Sequence, residues 1–178
     1  EGNMREMKGN VTLGLLTAKF SLEGPVKKDT SSYLISVRRF MFDLIQKPLL
    51  KILTDASIGY TFYDVNAKFN SRITHKDRLF VSFYMGDDKL TTRLKEKEEE
   101  DFSMSNQNAW GNLLGSFRWN HIYSAKLFGN LTYSYTRYRY MIGFNQFQKL
   151  DVDEEIKNSF YSHVRDHALK YDFEFFPN

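Results

Sequence analysis

The sequence predicts an all-β, antiparallel chain, and three observations carry this prediction. Phe and Tyr are abundant, with 16 and 11 residues, whereas Pro occurs only 3 times. Aromatic side chains favour strands, and Pro interrupts them. Apolar and polar side chains alternate with a period of two in several segments, as in strands with one apolar face. The connections between these segments alternate between short and long along the chain.

The first three predicted strands precede Phe40. Val11, Leu13 and Leu15 share one face of an initial strand. The next apolar set is one residue out of phase, which predicts a tight turn or bulge near Leu16. Gly, Pro, Lys and Asp at 24–29 then turn the chain, so the second and third strands are expected to form a hairpin. The apolar face of this hairpin consists of Ala18, Phe20, Leu22, Tyr33, Ile35 and Val37.

Two more hairpins and a last strand complete the pattern. Their apolar and polar residues alternate in the segments 63–70, 79–85, 113–119, 131–135 and 169–175. Turns near His75 and His121 join the first four segments in pairs, which is typical of hairpins. The sequence therefore predicts about eight strands, of about 9 to 11 residues each where they cross a membrane.

The connections suggest how such strands are used. Those near Lys27, His75 and His121 are short. The long connections are expected at 39–57, 86–108 and 141–158. Short turns at one end and long loops at the other are the plan of an antiparallel transmembrane β-barrel, with apolar faces toward lipid and polar faces toward water. A soluble antiparallel sandwich with one wet face is the alternative.

Aromatic residues near the strand ends are expected to form the girdles that flank the lipid-facing band of such a barrel. The predicted girdle residues are Tyr60, Phe62, Trp110, Trp119, Tyr138, Tyr140, Phe175 and Phe176.

Composition and motifs exclude several other classes. No apolar run approaches the roughly 18 residues of a membrane-spanning helix. The absence of Cys excludes disulfides and Cys-ligated metal. Basic residues are interspersed with acidic ones at a formal charge of +3, so a nucleic-acid partner is not expected. Because no nucleophile elbow, phosphate loop or HExxH motif is present, neither an enzyme nor a cofactor is predicted.

The residues around the first long connection are the predicted ligand-facing loop. Arg38 and Arg39 would meet an anionic ligand, while Phe40 and Asp43 begin an apolar segment that could form a short helix broken before Pro48. Two simpler roles stay open. The apolar segment could pack against the barrel rim, and the arginines could pair with Asp or Glu on neighbouring strands.

No metal site is predicted. His163 and His167 have a helical ligand spacing, but in a strand they would lie roughly 13 Å apart. His75 and His121 are expected to be solvated residues of short turns. Acidic side chains at 151–155 lack the glycine and the spacing of a calcium loop, and the charge run at 95–101 is expected to be solvated.

At this level of detail the chain resembles the TonB-dependent outer-membrane receptors, at the start of their barrel domain. The resemblance rests on the order and spacing of segments that span nearly the whole chain. These segments are Gly9-Asn10-Val11-Thr12-Leu13-Gly14-Leu15, Ser21-Leu22-Glu23-Gly24-Pro25, Ser32-Tyr33-Leu34-Ile35-Ser36-Val37-Arg38-Arg39, Tyr63-Asp64-Val65-Asn66-Ala67-Lys68-Phe69-Asn70, Lys76-Asp77-Arg78-Leu79, Arg118-Trp119-Asn120-His121 and Lys170-Tyr171-Asp172-Phe173.

The resemblance implies a twenty-two-stranded barrel around a plug domain, located in the cell outer membrane. Such receptors import a scarce nutrient, such as siderophore-bound iron, cobalamin or a glycan, with energy passed through TonB. The implied partners are outer-membrane lipid, the remaining strands, the plug, TonB through the plug, and in glycan importers a surface lipoprotein. The chain departs from the family pattern because it lacks the plug, the TonB-contacting box and the final aromatic-ended strand.

Residues 1–178 are therefore expected to form a single partial barrel domain of about eight strands. Two alternatives remain beside it. One is a complete small eight-stranded outer-membrane barrel with a structural or adhesive role, because eight strands can close around a core of side chains. The other is a soluble antiparallel β protein that binds a ligand or partner.

Overall fold

The computed structural model describes residues 2–41, 56–95, 102–148 and 154–177. Their secondary structure is β throughout, which confirms the predicted all-β class. The eight strands are β1 (Lys8–Leu13), β2 (Thr17–Lys27), β3 (Ser31–Phe40), β4 (Ala56–Arg72), β5 (Asp77–Lys95), β6 (Phe102–Ser124), β7 (Leu127–Gln148) and β8 (Glu154–Phe175).

The strands form one antiparallel meander in which each strand pairs with the next along the chain. The three predicted hairpins are confirmed by their register, in which Phe20 lies opposite Val37, Ala67 opposite Phe83 and Phe117 opposite Tyr133. Among the described residues β1 and β8 do not pair with each other, so the sheet is open at both edges. An eight-stranded barrel that closes on itself is therefore not what these strands form.

The predicted tight turn near Leu16 is confirmed. β1 ends at Leu13, which lies opposite Ala18 at the start of β2. The amide of Gly14 donates a hydrogen bond to the carbonyl of Thr17 at 2.8 Å and closes the turn. Leu15 lies in this turn and not in the strand, which accounts for the change of phase seen in the sequence.

Strand length is where the sequence prediction was wrong. Five strands are 17 to 23 residues long, because most of the expected loops at 86–108 and 141–158 continue as strands. The prediction failed because the apolar residues move from one face to the other within each long strand. On β5 the aliphatic residues Leu79, Val81 and Met85 are odd-numbered, whereas Leu90 and Leu94 are even-numbered, and Gly86-Asp87-Asp88 between them resembles a turn.

The sheet is a single layer without an apolar core. No apolar side chain among the described residues is buried, and the only buried side chains there are those of Ser31, Ser32 and Asn70. Because strand residues alternate between faces, the register assigns all odd-numbered residues of β3 to β8 to one face. We call this the odd face and the opposite one the even face. No helix in the described part of the chain is long and apolar enough to cross a membrane.

The three buried side chains lie where the N-terminal segment crosses the ends of β3 and β4. The Ser32 hydroxyl donates a hydrogen bond to the Gly2 carbonyl at 2.9 Å and accepts one from the Asn70 amide at 2.6 Å. A Cβ at Gly2 would lie 2.1 Å from the Tyr33 carbonyl oxygen, so only glycine fits here. The segment is thereby held against the turn end of the sheet.

Candidate functional site

We call the end of the sheet at which β3 ends and β4 and β6 begin the upper end. Four aromatic side chains gather on the even face toward this end. Phe40 stacks on Phe62 with ring centroids 5.0 Å apart and meets the edge of Tyr60 at 5.5 Å. Tyr60 in turn stacks on Trp110 at 6.3 Å, across β5. Strand alternation produces this arrangement, because all four residues are even-numbered and the register brings them together. We call these four residues the aromatic cluster.

Charged groups border the aromatic cluster on two sides. The Arg38 guanidinium donates to the Asp64 carboxylate at 2.6 Å and lies 5.1 Å from the centroid of Phe62. Tyr60 donates its hydroxyl proton to Asp88 at 2.5 Å. Burial, and then the hydrogen bond and negative charge of Asp88, raise the pKa of Tyr60 to about 12. Tyr60 therefore stays a neutral hydrogen-bond donor at any physiological pH.

Two cavities meet at the Arg38–Asp64 ion pair. One, of about 210 Å³, adjoins Tyr60, Phe62 and Asp88. The other, of about 630 Å³, is a polar trough that runs along the even face of β1 to β4. Its charged lining consists of Lys8, Lys19, Glu23, Arg38, Asp64 and Lys68. The site therefore combines aromatic surface that can stack on a planar or sugar ring with donors and acceptors of both charges.

The structure separates the residues that the sequence placed in one ligand-facing loop. Arg38, Arg39 and Phe40 are the last residues of β3, because β3 pairs with its neighbours up to that point. Arg38 and Phe40 lie at the aromatic cluster, whereas Arg39 lies on the odd face between Ala18 and Tyr63. Asp43 and the apolar segment after it lie outside the described residues. The pairing of Arg38 with Asp64 matches the simpler role, and ligand contact stays a prediction.

The residues of the predicted aromatic girdle do not share one face of the sheet. Only Trp119 and Phe175 lie on the odd face. The other six residues lie on the even face and are Tyr60, Phe62, Trp110, Tyr138, Tyr140 and Phe176. Residue parity within a continuous strand would have identified them, but parity helps only once the loops at 86–108 and 141–158 are recognised as strands.

His121 was also placed wrongly, because β6 continues past it to Ser124. Its Nδ1 lies 2.6 Å from Asp77 Oδ1, which also accepts a hydrogen bond from Trp119 at 3.0 Å. Hydrogen bonds from Thr74 and then His121 lower the pKa of Asp77 to about 2. His75 does lie in the turn before β5. The Asp77 group thus ties the turn to β6 at the lower end of the odd face.

His163 and His167 lie on the same face of β8, opposite Arg139 and Tyr135. No group of three or more His, Asp or Glu is placed to hold a metal ion in the described part of the chain. Glu155 pairs with Lys157 at 2.7 Å. Residues 151–153 of the acidic loop, and the charge run after Lys95, lie outside the described residues.

Below the level of Asp87, the odd face carries a band of apolar side chains. On β5 the band lies between Asp77 and Asp87, ten residues apart and so roughly 33 Å along the strand. The band, which we call the apolar band, includes Phe20, Ile35, Val37, Val65, Phe69, Leu79, Val81, Phe83, Met85, Leu113, Phe117, Leu131, Tyr133 and Leu169. Many of these side chains are exposed.

The upper border of the apolar band is level from β3 to β5, at Arg39, Tyr63 and Asp87, and slants from β5 to β8. On β5 it ends at Asp87, whereas on β8 the first polar residue is His167, which lies level with Phe83. The border therefore falls by four residues over three strands, or roughly 13 Å along for 14 Å across. This slope corresponds to about 40°, which is the tilt of strands in closed barrels. If β5 is tilted by about 40° from the perpendicular to this border, the roughly 33 Å of the band along the strand correspond to a height of about 25 Å.

An ion pair marks the upper border. Arg139 on β7 reaches over β6 to Asp87 on β5 at 2.6 Å. Gly111 lies between them, and a Cβ there would be 2.0 Å from the Asp87 carboxylate. Tyr63 on β4 donates to the other carboxylate oxygen at 2.9 Å. Glycine in β6 therefore allows three strands to share one polar group.

Comparison of the chain with protein-family models, with curated proteins and with solved structures gives no match in any of the three. Its function therefore has to be inferred from the two faces of the sheet.

Proposed function

We propose that the chain is the first part of the β-barrel of a TonB-dependent outer-membrane receptor that imports a scarce nutrient, such as siderophore-bound iron, cobalamin or a glycan. One observation carries the proposal. The open sheet exposes an apolar band that no described part of the chain covers. The band has the height of a bilayer's hydrocarbon layer and the slope of barrel strands.

Lipid is the cover that fits this band best. A soluble sandwich would bury such a face against a second sheet, but the eight strands form one layer. Water would oppose so large an exposed apolar surface. In lipid the same surface is favourable, provided that every backbone group is paired. The open edges at β1 and β8 then require further strands, which the rest of a larger barrel would supply.

The even face suits the inside of such a barrel. Within the band it carries polar residues such as Asn66, Lys68 and Ser82. At the upper end the aromatic cluster and Arg38 would meet an entering nutrient. The plug would fill the interior and connect the receptor to TonB, and a surface lipoprotein is a further partner if the nutrient is a glycan. The protein would act as a transporter in the cell outer membrane and not as an enzyme.

Cysteine scanning along β5 tests the proposal directly. The chain contains no Cys, so each introduced thiol is unique within it. In the complete polypeptide, reconstituted into vesicles, Val81→Cys and Phe83→Cys should carry a fluorophore that a lipid-soluble quencher reaches. Ser82→Cys and Tyr84→Cys, on the even face, serve as matched controls and should not respond.

Two results would refute the proposal. Equal quenching at all four positions would mean that β5 does not separate lipid from a polar interior. Expression of residues 1–178 alone gives the second test. If this chain closes by itself into a monomeric barrel whose gel migration changes on heating, a small complete outer-membrane protein replaces the receptor.

A further inference from the structure

Two arginines lie directly opposite each other at the upper border of the apolar band. Arg137 on β7 pairs in register with Arg165 on β8, and both are on the odd face. Like charges that face each other across strands destabilise a sheet. Among the described residues neither guanidinium has a hydrogen-bond or ion-pair partner. An anion that lies between the two guanidinium groups would remove this repulsion.

Within the described ranges of the chain, no nearby carboxylate on the odd face is available for this role. The nearest acidic residue in register on the odd face, Asp87, is already bound by Arg139 and Tyr63. Below the pair the surface becomes apolar at Tyr133 and Leu169. The two arginines therefore lie where a polar headgroup would end and hydrocarbon would begin.

A depression beside the arginine pair leaves room for a headgroup. It has a volume of about 500 Å³ on the odd face above the band. Lys89, Arg139 and His163 supply its basic lining, and Met141 and Tyr161 supply apolar surface. Asp87 also lines it, paired with Arg139. The small Ala109 forms part of its floor, on β6 between the larger side chains of Lys89 on β5 and Met141 on β7.

We infer that Arg137 and Arg165 bind the phosphate of a membrane lipid headgroup, with the acyl chains lying against Tyr133 and Leu169. Guanidinium groups match phosphate oxygens in a bidentate geometry. Their attraction for phosphate is stronger at a membrane border than in bulk water, because the effective dielectric constant is lower there. The inference rests on the proposed function, since it requires the odd face to meet lipid.

Lipid competition in nanodiscs tests the inference. The complete polypeptide is reconstituted in phosphatidylcholine mixed with phosphatidic acid, and native mass spectrometry then identifies the lipids that stay bound. Phosphatidic acid should be enriched over its share of the bilayer. In the double variant Arg137→Gln, Arg165→Gln the enrichment should fall by about fivefold for each charge removed.

The control removes two charges from the even face, through Arg118→Gln and Lys170→Gln, and should leave the enrichment unchanged. The variant Arg137→Lys, Arg165→Lys should recover part of it, because charge returns without the bidentate geometry. Equal enrichment in the wild type and the Gln variant would overturn the inference and mean that protein groups neutralise the arginines. Complete displacement of the lipid by soluble glycerol phosphate would also overturn it, in favour of a soluble anion.

Failure of the lipid site and failure of the membrane assignment give different results. If β5 shows the alternating quenching while no phosphatidic acid is enriched, the chain is in the membrane without this site. If the quenching pattern is absent, the proposed function fails first.

Discussion

The lower and upper halves of the long strands use the same backbone but opposite polarity. On β5 below Asp87 the odd face is apolar, with Val81 and Phe83, and the even face includes Ser82. Above Asp87 the odd face carries Lys89, Thr91 and Arg93, whereas the even face carries Leu90 and Leu94. Strand pairing continues without interruption through the change. Backbone hydrogen bonding thus keeps the strand continuous, and the residues of each half determine which of its faces is apolar.

The largest expected effect comes from placing the same charge in both halves of the odd face. Val81→Lys puts an ammonium group near the middle of the apolar band and should destabilise the complete polypeptide in vesicles by about 2–4 kcal/mol. Thr91→Lys, on the same strand and face above the band, should change stability by less than about 0.5 kcal/mol. Urea unfolding from vesicles measures both variants. Similar costs for the two would mean that the halves do not differ in their environment.

The same change of the apolar face along the strands decided which strands and turns the sequence could predict. The alternation at 63–70 identified β4, and the change of phase after Leu15 identified the first turn. The upper half of β5 was missed because Gly86-Asp87-Asp88 has the composition of a loop and the apolar residues beyond it change parity. A prediction that assumes one apolar face along the whole strand therefore ends β5 at this point.

The candidate sites were harder to predict than the strands. Arg38 and Phe40 were predicted to lie in a ligand-facing loop but are part of β3. Trp110 was predicted as a girdle residue together with Trp119, although their different parity in one continuous strand places them on opposite faces. The opposition of Arg137 and Arg165 depends on register between β7 and β8. Register follows from turn position and cross-strand packing, and a one-residue error would have placed Asp166 opposite Arg137 instead.

A smaller effect is expected at the border between the two halves. Gly111→Ala brings a Cβ to 2.0 Å from the Asp87 carboxylate and 2.8 Å from Arg139, so the ion pair above β6 has to move. Because Arg139 is more than half exposed, we expect a loss of only about 0.5–1 kcal/mol. Gly115→Ala lies four residues away on the same face, where a Cβ meets nothing within 4 Å, and should be neutral or slightly stabilising. Unfolding in urea distinguishes the two, and equal losses would show that Gly111 does not serve the ion pair.

The smallest effect concerns the even face of the upper half, where the hydroxyl of Tyr60 is partly buried beside Asp88. Since the pKa of Tyr60 is raised to about 12, the stability that its protonated form provides is fully present below about pH 10 and is lost as the pH rises through about 12. Tyrosinate absorbance of the wild type minus that of Tyr60→Phe should therefore show one group that titrates late. Asp88→Asn should lower this pKa only partway, because burial is the larger cause and remains. A return to the ordinary value in Asp88→Asn would mean that the acid alone controls Tyr60, and the aromatic cluster would then be open to water in the way that the polar trough below it is.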